Sequence, residues 1–333
     1  MSFPYRGFID AAWGRRLLAL CAAAFAACMP APAHAQAADA PARIVVGFPP
    51  GGSVDTIARL LAEKLREELK RTVIVESKPG AGGRIAAQGL KAMPADGSVV
   101  MLAPDALVTT NPFVFKKLTY DVAELVPVSM VAEFQFAFAT GAESGNKTFG
   151  DYLKWARANK NAANFGSPAA GSPLHFVGLM IGREIGVDLL HVPFQGGSPL
   201  VTALVGNQVS AGVNTLTDML EMHKAGRLRI LAVTGTQRAP QLPDVPSLSE
   251  LGFKQVIARG FFGVYAPAGT PAAAVATWNT ALGRVLQLPD VRERLGALGL
   301  VPRGSTPEDL ARLAREDAAV WGPVIKASGF SVD

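Results

Sequence analysis

Apolar residues along this chain alternate between short β-branched runs and longer stretches with helical spacing. The run from Arg43 to Gly47 predicts a buried strand, and the apolar residues after Ser53 recur at the spacing of an amphipathic helix. The same order returns, so further strands bracketed by helical patterns are predicted at 72–76, 99–103, 189–192, 208–213 and 228–234. This alternation predicts an α/β fold of parallel-rich sheets flanked by helices, with ligand sites beyond the carboxyl ends of strands.

Two further strand-like runs, at 128–140 and 260–265, are placed so that they could carry the chain from one lobe to another and back. Three helical patterns, at 271–286, 289–298 and 306–327, end the chain. No linker rich in proline, glycine or serine separates two halves. The sequence therefore predicts one large or two moderate domains after the leader.

The first 35 residues have the pattern of a secretory signal peptide. A basic start that ends at Arg16 precedes an apolar stretch, residues 17–27, which is too short to span a bilayer. An Ala-His-Ala sequence then predicts cleavage after Ala35. A lipoprotein signal cut before Cys28 is the alternative. The mature protein is expected in the periplasm.

Composition and charge exclude several classes of function. Both cysteines lie in the leader, so disulfides, thiolate metal sites and cysteine nucleophiles are not expected in the mature chain. The leader holds three arginines and one aspartate, and its removal lowers the net charge from +5 to +3. Lys and Arg do not cluster with aromatic residues, so no nucleic-acid partner is predicted. Because the histidines lack H-x-x-H spacing, no metal or other cofactor is expected.

The segment from Phe48 to Asp55 carries a signal for anion binding. Its Pro-Pro-Gly-Gly ends the strand, because proline removes amide donors and glycine permits backbone angles closed to other residues. Ser53 follows where the next helix begins, and free N–H groups and the helix dipole there attract an anion. An ordinary tight turn would have the same sequence. Without a Walker Lys-Ser/Thr or a G-x-G-x-x-G, a small anion is predicted rather than a nucleotide.

Two later segments repeat this arrangement of strand end, small-residue turn and helix start. In the first, residues 164–175, Ser172 precedes a proline at the first helical position. The second, residues 192–199, leads into a helical run at 200–205. Several such turns in different halves of a chain could hold one ligand between two lobes.

Seven short motifs, rich in glycine, proline and small polar residues, follow one another along the chain. They are Phe48-Pro49-Pro50-Gly51-Gly52 with Asp55, Lys78–Gly83, Leu118–Asp121, Phe165–Ser167 with Gly171–His175, His191–Gly197, Pro243–Pro246 and Tyr265–Pro271. Each alone is weak. Together, from about Arg43 to about Gly329, they resemble the periplasmic solute receptors of tripartite tricarboxylate transporters, known as the Bug family.

The resemblance implies a two-lobed, type II-like periplasmic-binding-protein fold with the ligand in the cleft between the lobes. Residues 43–133 and 259–333 are expected to form lobe 1, and residues 134–258 lobe 2. In that family the turn after the first strand and the turn that matches Phe194–Ser198 grip a ligand carboxylate through backbone amides and ordered waters. The residues expected at the site are Phe48, Pro49, Gly51, Gly52, Ser53, Asp55, Asp105, Ser167, Ala169, Phe194, Gln195, Gly196, Gly197, Ser198 and Asn214.

The function that the resemblance implies is a receptor, not an enzyme. It captures a small carboxylate (an organic acid, an amino acid or an aromatic carboxylate) and passes it to membrane permease subunits, and it is expected to be a monomer. A sensor subunit that presents its ligand to a membrane histidine kinase would need the same lobes. A serine hydrolase would need G-x-S-x-G, and Gly52-Ser53 and Gly171-Ser172 both lack the second glycine.

Three residues depart from the family's pattern. Phe194 stands where Tyr is usual, Arg84 where Asn is common, and Asp105 where small polar residues are usual. A buried carboxylate near a ligand carboxylate would repel it unless a positive group lies between them. Asp105 therefore either caps the following turn or selects a ligand with an ammonium group or a ring nitrogen.

The sequence suggests roles for four other side chains. Asp55 complements the helix dipole or contacts the ligand, and Ser167 caps its own turn or reaches the ligand. His175 is expected to pack beside the site rather than touch the ligand. His191 lies within an apolar strand and is expected in the core.

Overall fold

The first strand, β1 (Ala42–Val46), lies inside a sheet because every one of its residues except Arg43 is apolar and buried. The computed structural model describes residues 40–256 and 258–333, so the predicted signal peptide lies outside the described residues. On either side β1 pairs in parallel with β2 (Val73–Ser77) and β3 (Val99–Pro104). These three strands form one end of a ten-stranded sheet.

The middle of the sheet is antiparallel. β3 pairs with β9 (Arg259–Pro267), which pairs with the long β4 (Leu125–Gly141). Residues 125–135 of β4 pair with β9, whereas residues 136–141 pair with strands of the other half of the sheet. β4 therefore runs from one half of the sheet into the other, as the strand-like run at 128–140 predicted.

The other half of the sheet again contains parallel pairs. β5 (Asn164–Ser167) lies between β6 (Leu190–Pro193) and β7 (Gly212–Thr215) and is parallel to both. β8 (Leu228–Val233) and the short β10 (Leu300–Pro302) each pair with β4 outside the main order, which is β2-β1-β3-β9-β4-β7-β5-β6.

Helices flank the sheet, and several of them begin directly after a strand. They are α1 (Ser53–Leu69), α2 (Arg84–Leu90), α3 (Ala106–Thr109), α4 (Asn111–Val114), α5 (Phe149–Ala158), α6 (Pro173–Ile185), α7 (Gly197–Val205), α8 (Leu216–Lys224), α9 (Ala272–Val285), α10 (Pro289–Ala297) and α11 (Pro307–Ser328). Among the described residues, no helix combines the length and apolar character needed to cross a bilayer.

The predicted α/β class is confirmed, with parallel pairs at both ends of the sheet and antiparallel pairs in its middle, but one strand lies elsewhere than predicted. A strand was expected at 208–213, whereas β7 is Gly212–Thr215. The chain turns after α7 instead, because Asn207 adopts a left-handed conformation with φ of 51° and the amide of Gln208 bonds back to Ala203. β10, with three residues, is too short to show a period in the sequence.

Candidate functional site

A cavity of about 60 Å³ lies where the starts of α1 and α7 face each other. A single water needs roughly 10–15 Å³ by this measure, so the space suits a small ligand. One side of the cavity is aromatic, with Phe134 stacked on Phe262 at a ring-centroid distance of 4.4 Å and Phe136 beside them. The remaining lining comes mainly from turns that follow strands in both halves of the sheet.

The turns of the two halves touch each other around this cavity. A Cβ built on Gly196 would lie 3.1 Å from Pro49, and one built on Gly82 would lie 3.0 Å from Ala169. Gly196 has a φ of 117°, a conformation that L side chains rarely adopt. Small residues therefore let the two halves approach closely and enclose the space.

Two backbone donors at the start of α1 have side-chain acceptors within the chain. The amide of Gly51 donates to Asp55 Oδ2 at 3.1 Å, and the amide of Ser53 donates to Asp218 Oδ1 at 2.7 Å. Arg59 also donates to Asp55, at 2.9 Å. Burial alone would raise the pKa of Asp55, but the bonds from Arg59 and Gly51 outweigh it, and the pKa lies below its ordinary value.

Asp218 comes from the other half of the sheet and was not predicted. It lies in the first turn of α8, where its amide donates to the N-cap side chain of Thr215. Burial raises the pKa of Asp218, although hydrogen bonds, chiefly from the Ser53 amide, act in the opposite direction. A Thr with an acid three residues later, just after a strand, was the signal for this helix start.

The start of α7 differs, because its backbone donors remain available. Within the described residues, the amides of Gly197 and Ser198 donate no hydrogen bond, and α7 has no side-chain cap. Asn214 bonds the carbonyl of Gly197 at 3.3 Å. A Cβ on Gly197 would overlap the carboxylate of Asp218, so this position requires glycine.

Arg84, at the start of α2, brings a cation to the cavity. Its guanidinium carbon lies 3.7 Å above the centre of the Phe115 ring. Within the described residues, no carboxylate lies within ion-pair distance of Arg84 and no acceptor takes a hydrogen bond from it. Burial lowers the pKa of Arg84, but a guanidinium stays protonated at neutral pH. Among the described residues that line the cavity, Arg84 is the one cation, and its donors have no acceptor within them.

Asp105 lines the cavity at the end of β3 and is 2% exposed. It stands at the N-cap position of α3, but its side chain accepts no capping hydrogen bond, so the capping alternative does not hold. Its Oδ2 is buried without a hydrogen-bond partner. Burial, with a smaller effect from Asp317, raises the pKa of Asp105 well above its ordinary value.

The structure brings many of the predicted site residues together around the cavity. Those that line it are Phe48, Pro49, Gly52, Ser53, Asp105, Ala169, Gly197, Ser198 and Asn214. Sequence reasoning missed the polar lining residues Arg84, Asn111, Ser172, Thr215 and Asp218. The unusual Arg84 was noticed, but nothing in the local pattern indicated that its side chain turns toward the cavity.

Other predicted residues do not line the cavity. Gly51 and Gln195 are exposed, and Asp55 is turned toward Arg59 and the Gly51 amide. The ring of Phe194 packs against Gly166. The last two predicted residues that do not line the cavity are Ser167 and Gly196. They belong to turns in the half of the sheet that contains β5 and β6.

Ser167 is fully buried and holds its own turn. Its hydroxyl donates to the carbonyl of Ala169 at 3.1 Å and lies 2.7 Å from His191 Nε2. His191 stacks on His175 with ring centroids 3.8 Å apart, and Nδ1 of His175 accepts from the Gly171 amide. Burial lowers the pKa of His175 to about 3 and that of His191 to about 4, so both rings are neutral. These groups support the turn and have no access to the cavity.

No group of three or more His, Cys, Asp or Glu side chains within residues 40–256 and 258–333 is arranged to hold a metal ion.

The fold and the enclosed cavity are those of a receptor for small solutes. Residues 57–330 match the model of the "Tripartite tricarboxylate transporter family receptor". The chain is 34% identical over 283 residues to the "UPF0065 protein in tcbD-tcbE intergenic region" of a Pseudomonas species, covering 84% of each chain. It is 30% identical over 291 residues to the protein BugT of Bordetella pertussis, covering 87% of this chain and 89% of BugT. The chain belongs to the tripartite tricarboxylate transporter receptor family, as the motifs predicted.

Solved structures of similar proteins contain carboxylates. The R. palustris protein Rpa4515 with adipate has a TM-score of 0.84 and 28% identity, covering 87% of this chain and 97% of its own. MatC of Rhodopseudomonas palustris with malate has a TM-score of 0.80 and 28% identity, covering 85% and 98%. These similarities confirm the periplasmic-binding-protein fold, and the family consists of binding proteins.

Proposed function

We propose that this protein captures a small carboxylate outside the cytoplasm and passes it to the permease subunits of a tripartite tricarboxylate-type transporter. The single observation that carries the proposal is the enclosed cavity, in which Arg84 and the start of α7 offer hydrogen-bond donors without acceptors. The carboxylates in two similar structures support the same ligand class.

The donors have the chemistry that a carboxylate needs. Arg84 offers a planar fork that matches two carboxylate oxygens, and its packing on Phe115 reduces the rotamer freedom lost on binding. The amides of Gly197 and Ser198 lie at the positive end of α7. The aromatic side, which includes Phe134 and Phe262, excludes water and strengthens these electrostatic contacts.

Residues 43–133 with 259–333 act as one lobe in this proposal, and residues 134–258 act as the other. The point where β4 leaves the first half of the sheet, between Gln135 and Phe136, supports a hinge there. The return crossing lies just before β9. Opening at the two crossings would separate Ser53 from Asp218 and let the ligand enter.

The protein acts as a monomer in the periplasm, after export and cleavage behind Ala35. The N-terminal leader pattern and the membership in a family of periplasmic receptors support this location. N-terminal sequencing of protein from the periplasmic fraction tests the cleavage, and scattering mass tests the monomer.

Calorimetric titration and thermal unfolding with succinate, malate, adipate, L-aspartate, inorganic phosphate and glucose test the ligand class. We expect at least one carboxylate to bind and to raise the Tm. Arg84→Gln is expected to weaken that binding by about tenfold or more, because a charged hydrogen-bond donor is lost. Arg66→Gln, which removes the same charge from the exposed end of α1, is the control. Binding of glucose or phosphate without binding of any carboxylate would contradict the proposal.

Small-angle scattering with and without the carboxylate that binds best tests the hinge. A smaller radius of gyration is expected with ligand, and an unchanged radius at saturation argues against closure of two lobes.

A further inference from the structure

We propose that the ligand carries an ammonium group in addition to its carboxylate, and that Asp105 binds the ammonium. The inference rests on the proposed function, since it concerns the same cavity. It assigns to Asp105 the choice between amino acids and plain organic acids. Arg84 and the start of α7 then receive the carboxylate.

Asp105 has an acceptor that the protein leaves unused. Its side chain is buried, and Oδ2 has no hydrogen-bond partner although the residue lines the cavity. A buried polar atom without a partner costs about 1–3 kcal/mol, more when it is charged. The backbone of Asp105 is already satisfied, because its amide donates to the Phe261 carbonyl at 3.0 Å. Burial, with a smaller effect from Asp105, raises the pKa of the nearby Tyr265, whose hydroxyl is also buried without a partner and is an uncharged donor on the protein side.

The surroundings of Asp105 supply no cation. Arg84 lines the same cavity but stacks on Phe115 and forms no ion pair with Asp105. Asp317, on α11, adds negative charge near Asp105 and raises its pKa further. The guanidinium of Arg259 lies 3.6 Å from Glu133, so it is engaged elsewhere. A cationic donor for Asp105 has to come from the ligand.

The two ends of the cavity then fit a zwitterion. A dicarboxylate would place its second carboxylate against Asp105, and this arrangement is unfavourable. An ammonium group instead gives Oδ2 a charge-assisted hydrogen bond. A pyridine nitrogen at neutral pH is an acceptor and offers Oδ2 no proton, so amino acids fit better than pyridine carboxylates.

The test compares molecules that differ by one ammonium group. The pairs are L-alanine with propanoate and L-aspartate with succinate, and nicotinate is added as a ring-nitrogen acid. Dissociation constants are measured by calorimetry for the full mature chain and for Asp105→Asn. We expect the amino acid of at least one pair to bind the unchanged protein about tenfold or more tightly than its deaminated partner. In Asp105→Asn this preference should disappear while affinity for the deaminated acid stays equal or rises.

Two controls keep the result interpretable. Asp188→Asn removes a carboxylate from the exposed surface, and it should leave every affinity unchanged. The Tm of empty Asp105→Asn should match or exceed that of the parent, because Oδ2 of Asp105 has no hydrogen-bond partner and its side chain does not cap α3. If Asp105→Asn does not fold, Asp105→Ser is measured in its place, with the same loss of preference expected.

The outcomes separate this inference from the proposed function. Binding of the deaminated partner that equals or exceeds binding of the amino acid in both pairs overturns the role of Asp105 but leaves a carboxylate receptor, and so does tighter binding of nicotinate than of either amino acid. Retention of the amino-acid preference in Asp105→Asn also overturns it. If malate or adipate binds and neither amino acid does, only the role of Asp105 is overturned, whereas failure of every carboxylate, malate and adipate included, overturns both.

Discussion

The starts of α1 and α7 have the same local chemistry but different partners in the folded protein. Both follow a glycine turn, and both have backbone N–H groups at the positive end of a helix dipole. At α1 the amides of Gly51 and Ser53 bond to Asp55 and Asp218. At α7 no acceptor within the described residues takes the first amides.

This difference means that a helix start can bind an anion only if its amide donors have no acceptor within the folded protein. Asp218 reaches Ser53 across the cleft, from 165 residues away along the chain. The carboxylate of Asp218 thus takes the Ser53 amide, a donor that a ligand carboxylate would use at α1. Four changes follow in order of decreasing expected effect; the first three test how far the two starts differ, and the last tests the support of a turn in the second half.

Gly197→Ala should have the largest effect. Its Cβ would overlap the carboxylate of Asp218, whereas a Cβ on Gly52 would lie 3.5 Å from Ser198 Oγ, an ordinary contact. We expect Gly197→Ala to lower the free energy of unfolding by about 1–3 kcal/mol and to abolish carboxylate binding. Gly52→Ala, the matched control at α1, should change stability by less. Urea unfolding and calorimetry measure both, and equal losses in the two variants would contradict the asymmetry.

Asp218→Asn should strengthen binding of a plain carboxylate such as succinate. The amide oxygen can still accept from Ser53, but the negative charge on the cavity wall is gone. We expect about a tenfold lower Kd, equivalent to about 1.4 kcal/mol. Asp244→Asn, a surface change, should have no effect. A weaker affinity in Asp218→Asn would show that the charge attracts the ligand instead of opposing it.

Asp55→Asn should lower stability by about 1 kcal/mol at neutral pH, because the variant loses the charge that bonds Arg59 and the Gly51 amide. The folded-state pKa of Asp55 lies below its ordinary value, so its contribution is present above about pH 4 and is lost as the pH falls through the folded pKa. Urea unfolding of both proteins between about pH 7 and pH 3 should show the difference shrinking with acid. A constant difference across that range would argue against an ionic role.

Replacement of His175, which stacks on His191, should change the free energy of unfolding the least. The change should appear at a higher pH than the change expected for Asp55. The pKa of His175 is lowered to about 3 in the fold, whereas the unfolded state titrates near its usual value of about 6.5. Protons then favour the unfolded state, so stability is full above pH 6.5 and falls with acid. His175 should account for about 1 kcal/mol or less between pH 7.5 and 6.0. His175→Phe should reduce this pH dependence in urea unfolding, and an unchanged slope would contradict the assignment.

Much of this molecule can be predicted from local patterns. Short β-branched apolar runs and the 3.6-residue period indicate the strands and helices, and the glycine turns at Phe48–Ser53 and Phe194–Ser198 indicate where strands end and helices begin. Seven motifs in order identified the family. These features depend on residues close together in the chain, so they can be recognised in the sequence without the structure.

The tertiary structure decided which donors and acceptors at these turns have partners. Asp218 satisfies Ser53 from the other half of the sheet, Arg84 lines the cavity without an ion pair, and Asp105 is left with an unpaired oxygen. Such contacts join residues distant in sequence, and they leave no period or motif because each partner alone looks ordinary. Whether a donor is free or occupied is a property of the folded packing, so the sequence could indicate the helix starts but not their occupancy.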